Sequence, residues 1–80
     1  MKHARDDYDR IQDPAGKIAA DEPVFLVRGK DFSGPGTVAD WVKRQLEHPE
    51  FDVNLVFLAV LHVKRMHEWQ QANGCKTPDL

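Results

Sequence analysis

The sequence has a single cysteine, Cys75, among its 80 residues, so no disulfide can form within the chain. A chain this short buries a modest share of its surface, and it usually gains stability from a disulfide, a metal or further subunits. Its four histidines show no metal-ligand spacing, since His62 and His67 lie five residues apart rather than four. The sequence therefore predicts no metal, a reducing setting, and a homo-oligomer that is a dimer or higher.

Long hydrophobic runs are also missing. The longest one, residues 55–61, is far shorter than the roughly 20 residues that cross a bilayer. The opening MKHARDDYDR is charged and lacks the apolar stretch of a signal peptide. These absences predict a cytoplasmic protein with no membrane association.

Neither sign of charge dominates. Eleven basic and thirteen acidic residues give a net charge of −2, and the isoelectric point is about 6.0. Proteins that bind DNA or RNA more often carry a basic face and an isoelectric point above about 9. The composition therefore argues against a nucleic-acid partner.

Catalytic groupings are scarce as well. Cys75 has no histidine at a local spacing that would activate it, and Ser33, in its glycine-rich loop, lacks the nucleophile-elbow context of a catalytic serine. The carboxylates form no organised pair. The sequence therefore predicts a protein that is not an enzyme, with no catalytic residues and no cofactor.

The length and the pattern of apolar residues predict one domain over residues 1–80. A polar N-terminal arm occupies residues 1–12, and β-branched and aromatic residues at 24–28 predict a strand. A helix over 37–48 is expected to start at Thr37, whose hydroxyl would cap it. A second helix over 52–73 has Asp52 as its cap and Gly74 as its end.

These elements predict a small α+β fold with one or two short strands and two main helices. A lone strand must pair, and residues 55–61 are apolar on every side, so both need covering. Pairing of the strand with the same strand of a second copy would satisfy both requirements in a homo-oligomer. The alternative is a hairpin within the chain, formed with residues 17–20.

The most suggestive stretch for function is VFLVRGKDFSGPGTVADW, where a glycine-rich loop leads into a helix. Helix N-termini present free N–H groups and a positive dipole end, which suit phosphate or carboxylate. Positive charge, hydroxyls and glycines make up the predicted ligand-binding set: Arg28, Lys30, Ser33, Gly34, Gly36 and Thr37. The alternative is that the glycines only turn the chain and Thr37 only caps the helix.

The N-terminal arm supplies the rest of that set. Tyr8 would stack on a base, while Arg5 and Arg10 would reach phosphate. The alternative is a solvated arm whose salt bridges contribute less than about 1 kcal/mol each.

Three stretches carry a resemblance: HARDDYDRIQDP, DEPVFLVRGKD and the closing MHEWQQANGCKTPDL. They resemble a group of small uncharacterised proteins of bacteria, phages and prophages that share a HARxDYxRIQDP start, a PVFL-R strand and a PD ending. The Thr37 helix is hardly covered. The resemblance implies no activity and no functional residues. It implies a compact, phage-linked accessory protein acting by stoichiometric binding, as in counter-defence.

Two functions follow as expectations. In the first, the chain sequesters an anionic ligand of nucleotide type, such as a nucleotide or cyclic nucleotide, without turning it over. In the second, it is a protein-interaction module that binds and inhibits a larger host protein through Trp69, Met66 or the acidic arm.

Overall fold

The computed structural model describes residues 1–5 and 13–79. Its elements in chain order are β1 (Lys2–His3), β2 (Pro23–Val24), α1 (Gly34–Leu46) and α2 (Val53–Asn73). Two helices beside a short two-stranded parallel sheet make a small α+β domain, as the sequence predicts.

The sheet is shorter than predicted and has a different partner. Strand β2 is Pro23–Val24, so only Val24 of the expected 24–28 lies in it, and it pairs in parallel with β1 rather than with residues 17–20. The Lys2 amide donates to the Glu22 carbonyl at 2.7 Å. Residues 17–20 instead follow a tight turn, where the Asp13 carboxylate accepts from the Lys17 and Ile18 amides. Pairing of β2 with another copy stays a prediction.

Helix α1 begins three residues earlier than expected, so the assignment of Thr37 as its cap was wrong. Ser33 is the N-cap, and its carbonyl accepts from the Thr37 amide at 2.9 Å. Pro35 lies in the first turn, where a residue without an N–H is tolerated because those donors have no partner inside the helix. The glycines and proline were read as loop, but they form the helix start. The helix ends at Leu46 rather than residue 48.

Helix α2 lies close to its predicted bounds. The Asp52 carboxylate accepts from the Leu55 amide at 3.0 Å, which caps the N-terminus. Gly74 follows the last turn with φ of 80°, a value that glycine adopts without strain. Its amide donates to the Gln70 carbonyl. The caps at both ends are therefore those that the sequence predicts.

The two helices pack along stripes of matching period. Buried or half-buried side chains recur at three- and four-residue steps, at 35, 38, 42 and 45 on α1 and at 56, 59, 63, 66 and 70 on α2. The core is small: among the described residues, the well-buried apolar side chains are Val42 and Val56 at 8% exposure, Met66 at 6%, and Pro35 at the start of α1. Two packed helices therefore bury few large apolar side chains in the single chain.

The glycines at the start of α1 give a matched pair of substitutions. A Cβ on Gly34 would collide with the Arg28 carbonyl oxygen, whereas one on Gly36 would meet nothing within 4 Å. We expect Gly34→Ala to lower the free energy of unfolding by about 1–3 kcal/mol through overpacking. Gly36→Ala should raise it by about 0.5–1 kcal/mol through helix propensity. Urea unfolding at one protein concentration measures both, and a neutral Gly34→Ala would contradict the close approach.

Candidate functional site

A basic ridge, defined here as residues 28–30, separates two depressions on the surface. On one side lies the tail cleft, about 110 Å³, between the ridge and the two ends of the described chain. The side chains around it are mixed in charge and partly apolar: Ala4, Arg5, Phe25, Leu26, Arg28, Lys30, Asp31, Lys76, Pro78 and Asp79.

On the other side lies the helix groove, about 380 Å³, between the ridge and α2. Its lining combines basic, aromatic and aliphatic side chains: Leu26, Val27, Arg28, Gly29, Lys30, His62, Arg65, Met66 and Trp69. Arg28 and Lys30 therefore face both depressions, and they are the predicted ligand residues that the structure places most centrally.

The ridge is held in place from two directions. The Gln70 side-chain amide donates to the carbonyls of Gly29 and Asp31 at 2.9 and 2.8 Å. The backbone of Lys76 donates to the Lys30 carbonyl and accepts from the Phe32 amide, both at 2.9 Å. A glycine-containing loop is thereby tied to α2 and to the segment after it, which orders the ridge before any ligand arrives.

Gln70 tests how much this anchoring contributes. Gln70→Ala leaves two part-buried carbonyls without their donor, and we expect it to lower the free energy of unfolding by about 1–3 kcal/mol. Gln71→Ala, at the exposed neighbouring position, should change it by less than about 0.5 kcal/mol. Urea unfolding of both variants at equal concentration is the measurement, and equal losses would contradict the anchoring role.

The acidic groups of the tail cleft already have partners. Lys76 Nζ lies 2.8 Å from Asp79 Oδ1, and this hydrogen bond, with the positive charges of Lys76 and Arg5, holds the pKa of Asp79 below its usual range. Arg5 donates to the Asp79 carbonyl at 2.6 Å. Two cations of this cleft are thus engaged with the C-terminal segment.

Arg28 and Lys30 differ from them. Within the described part of the chain, neither side chain makes an ion pair or a hydrogen bond, and both are exposed. Their charges on an anchored ridge are available to an anion.

The start of α1 supports the anion prediction less well. Asp31 Oδ1 accepts from the Ser33 amide at 3.0 Å and from the Ser33 hydroxyl at 2.8 Å. A carboxylate therefore already occupies the helix start, where its charge would repel a bound anion. Gly34 packs against the Arg28 backbone, and the Thr37 amide already donates to the Ser33 carbonyl. Gly36 is exposed in the first turn of α1.

Residues 1–5 of the arm lie within the described part of the chain. Arg5 is half-buried and lines the tail cleft, next to Arg28 and Lys30. The predicted roles of Tyr8 and Arg10 fall on residues outside the described ranges.

Sequence reasoning missed Arg65 as a ligand candidate and assigned Trp69 to a protein partner. His62, Arg65, Met66 and Trp69 follow a spacing of three, one and three residues, which places them on one face of α2. That spacing is visible in the sequence, but only the fold shows that the ridge lies beside this face.

Other chemistry-bearing groups are dispersed. Residues 1–5 and 13–79 contain no cluster of three histidine, cysteine or acidic side chains that could hold a metal ion. Cys75 is a free, exposed thiol just after α2. None of the described helices has the length and apolar character needed to cross a membrane.

Comparison with known proteins found no match. No protein-family model, no curated protein and no solved structure matches this chain.

Proposed function

We propose that this chain is a non-enzymatic binding protein that sequesters an anionic ligand of nucleotide type at the basic ridge. The observation that carries the proposal is the pair of charges on Arg28 and Lys30, which have no acidic partner in the described chain and sit on an anchored loop between two depressions. Hydrogen bonds from a charged donor to phosphate are about twice as strong as neutral ones.

The proposal includes self-association in the cytoplasm. The N-terminal half of α2 leaves large apolar side chains in solvent, among them Val53, Phe57 and Val60, which are 66%, 62% and 50% exposed. They lie at i, i+4 and i+7, so they form one line along the helix. A second copy brings an identical apolar line, and a twofold axis would bury both.

The exposed apolar residues favour self-association. Seven apolar side chains of the helix pair are 39–66% exposed: Trp41, Leu46, Val53, Leu55, Phe57, Leu58 and Val60. Because about 3.6 residues make one helical turn, Leu55 and Leu58 lie on the other side of α2 from the apolar line. A single partner on that line would leave both exposed, so the full set suits contacts with more than one copy. The small core of the single chain is a further reason to expect this burial.

The resemblance noted above supplies the biological setting for the proposal. A compact, phage-linked protein that binds its ligand stoichiometrically would act by sequestration, and counter-defence against a nucleotide signal is the form we propose.

Native mass spectrometry of the freshly purified protein tests this function. We expect a multiple of the 9.2 kDa chain mass, with a reproducible extra mass of nucleotide size. A bare monomer would overturn the oligomer, and an oligomer that takes up no added nucleotide would overturn the sequestration.

A protein partner is the second candidate, and the same exposed apolar residues favour it. Met66 is in the core, so it cannot be the contact that the sequence suggested. Trp69 is 43% exposed and remains available. Trp69→Ala should then weaken capture of a host protein and leave the assembly mass unchanged, whereas a change in that mass would place Trp69 at the self-interface.

A further inference from the structure

The helix groove concentrates positive charge without compensation. Arg28, Lys30 and Arg65 all line it, and no aspartate or glutamate is among its lining residues. In the described part of the chain none of the three makes an ion pair, although the neighbouring Lys64 pairs with Glu68 at 3.7 Å. Three unpaired cations in one groove repel one another, and this is notable in a chain with net charge −2.

The same groove offers a flat apolar surface. Trp69 is 43% exposed on the α2 face that also carries Arg65, one turn earlier. Bases stack on indole rings with little dependence on sequence, because every base has a π face. Leu26 and the well-buried Met66 form the apolar lining around it.

Size and charge separate the groove from the tail cleft. At about 380 Å³ the groove falls within the range of ligand pockets, roughly 300–1,000 Å³, whereas the tail cleft has about 110 Å³. The tail cleft also contains Asp31 and Asp79, which would oppose an anion. Three cations that have no ion pair among the described residues match a ligand with two or more negative charges better than one with a single charge.

We infer that the helix groove is the binding site, and that its ligand is a nucleotide carrying at least two phosphate charges, with its base stacked on Trp69 and its phosphates held by Arg28, Lys30 and Arg65. This inference rests on the proposed function and refines it, because the base platform becomes Trp69 instead of Tyr8. A nucleoside diphosphate fits this chemistry better than a singly charged cyclic mononucleotide.

The test is calorimetric titration of the full chain with adenosine diphosphate, inorganic pyrophosphate and 3′,5′-cyclic adenosine monophosphate. We expect the diphosphate to bind at least tenfold more tightly than either of the others, since each of those lacks the base or the second phosphate. Arg65→Ala and Trp69→Ala should each weaken diphosphate binding tenfold or more, and Trp69→Ala should leave pyrophosphate binding unchanged. Lys76→Ala, on the tail cleft, should leave the diphosphate affinity within about twofold.

A second readout does not depend on the folding of Trp69→Ala. The chain has two tryptophans, so Trp41→Phe leaves Trp69 as the only indole, and we expect its fluorescence to be quenched by the diphosphate but not by pyrophosphate. If the diphosphate binds but Arg65→Ala has no effect and Trp69 is not quenched, the groove assignment is overturned and the proposed function survives. If the unmodified chain binds none of the three ligands, both are overturned.

Discussion

Replacing Phe57 and Val60 by glutamate should convert the proposed homo-oligomer into single chains of 9.2 kDa. Both side chains lie on the exposed apolar line of α2, at 62% and 50% exposure. Glutamate is a good helix former, so the local helix should persist, while burial of unpaired charges at an interface costs several kcal/mol. We expect the dissociation constant to rise by about 10³-fold or more, since each 1.4 kcal/mol is a factor of ten. Sedimentation velocity over a dilution series measures it.

The control for that variant is His67→Glu combined with Gln71→Glu. These exposed positions are on the polar, C-terminal half of the same helix, and they add the same two negative charges. The control should keep the mass of the unmodified protein. If both pairs dissociate it, net charge rather than the apolar line is responsible; if neither does, the interface lies elsewhere.

Removing both ridge cations should abolish nucleotide binding. Arg28→Ala with Lys30→Ala deletes two charged donors, and a hydrogen bond to a charged group contributes about 1.5–3 kcal/mol. The expected loss of affinity for adenosine diphosphate is therefore about a hundredfold or more. Neither side chain makes an ion pair or a hydrogen bond with a described residue, so the fold should be retained.

The comparison for the ridge variant is Lys43→Ala with Arg44→Ala, which makes the same change in net charge at two exposed positions in the last turn of α1. It should bind as the unmodified protein does. Equal weakening of nucleotide binding in both variants would mean that only the overall charge matters. Unchanged affinity in the ridge variant would mean that residues 28–30 only turn the chain and bind no ligand. Circular dichroism confirms that each variant is folded.

The sequence predicts the helices well because their signals are local. Asp52 and Gly74 bound α2 through contacts within four residues, and the periodic apolar positions identify its packed side. The start of α1 was misplaced for a physical reason: Gly34 and Pro35 are typical of loops, yet proline is tolerated in a first turn, and Gly34 is needed there for its approach to Arg28.

The sheet and the groove were harder to predict from the sequence because they depend on contacts between residues that are far apart in the chain. Strand β1 is only Lys2–His3, too short for any periodic pattern, and it pairs with a strand about twenty residues further on. The side chains of Arg65 and Trp69 become site candidates only when the ridge lies beside α2. The hydrogen bond from Gln70 to Gly29, about forty residues earlier in the chain, holds it there. Arg28 and Lys30 could be proposed from the sequence because glycine and charge mark a loop locally.

Because the core of the single chain is small, the stability of the protein should depend on how much of it is present. A fold completed by copies of itself gains stability by mass action, so its melting temperature depends on its own concentration. For a dimer, each tenfold dilution removes about 1.4 kcal/mol of that support. Besides Gly34 and Pro35, the well-buried residues of the described chain are Val42, Val56 and Met66, so we expect a single chain to have little stability of its own. Such a protein would be folded when it is abundant and open to proteolysis when it is scarce, so its own dosage would set how long it persists.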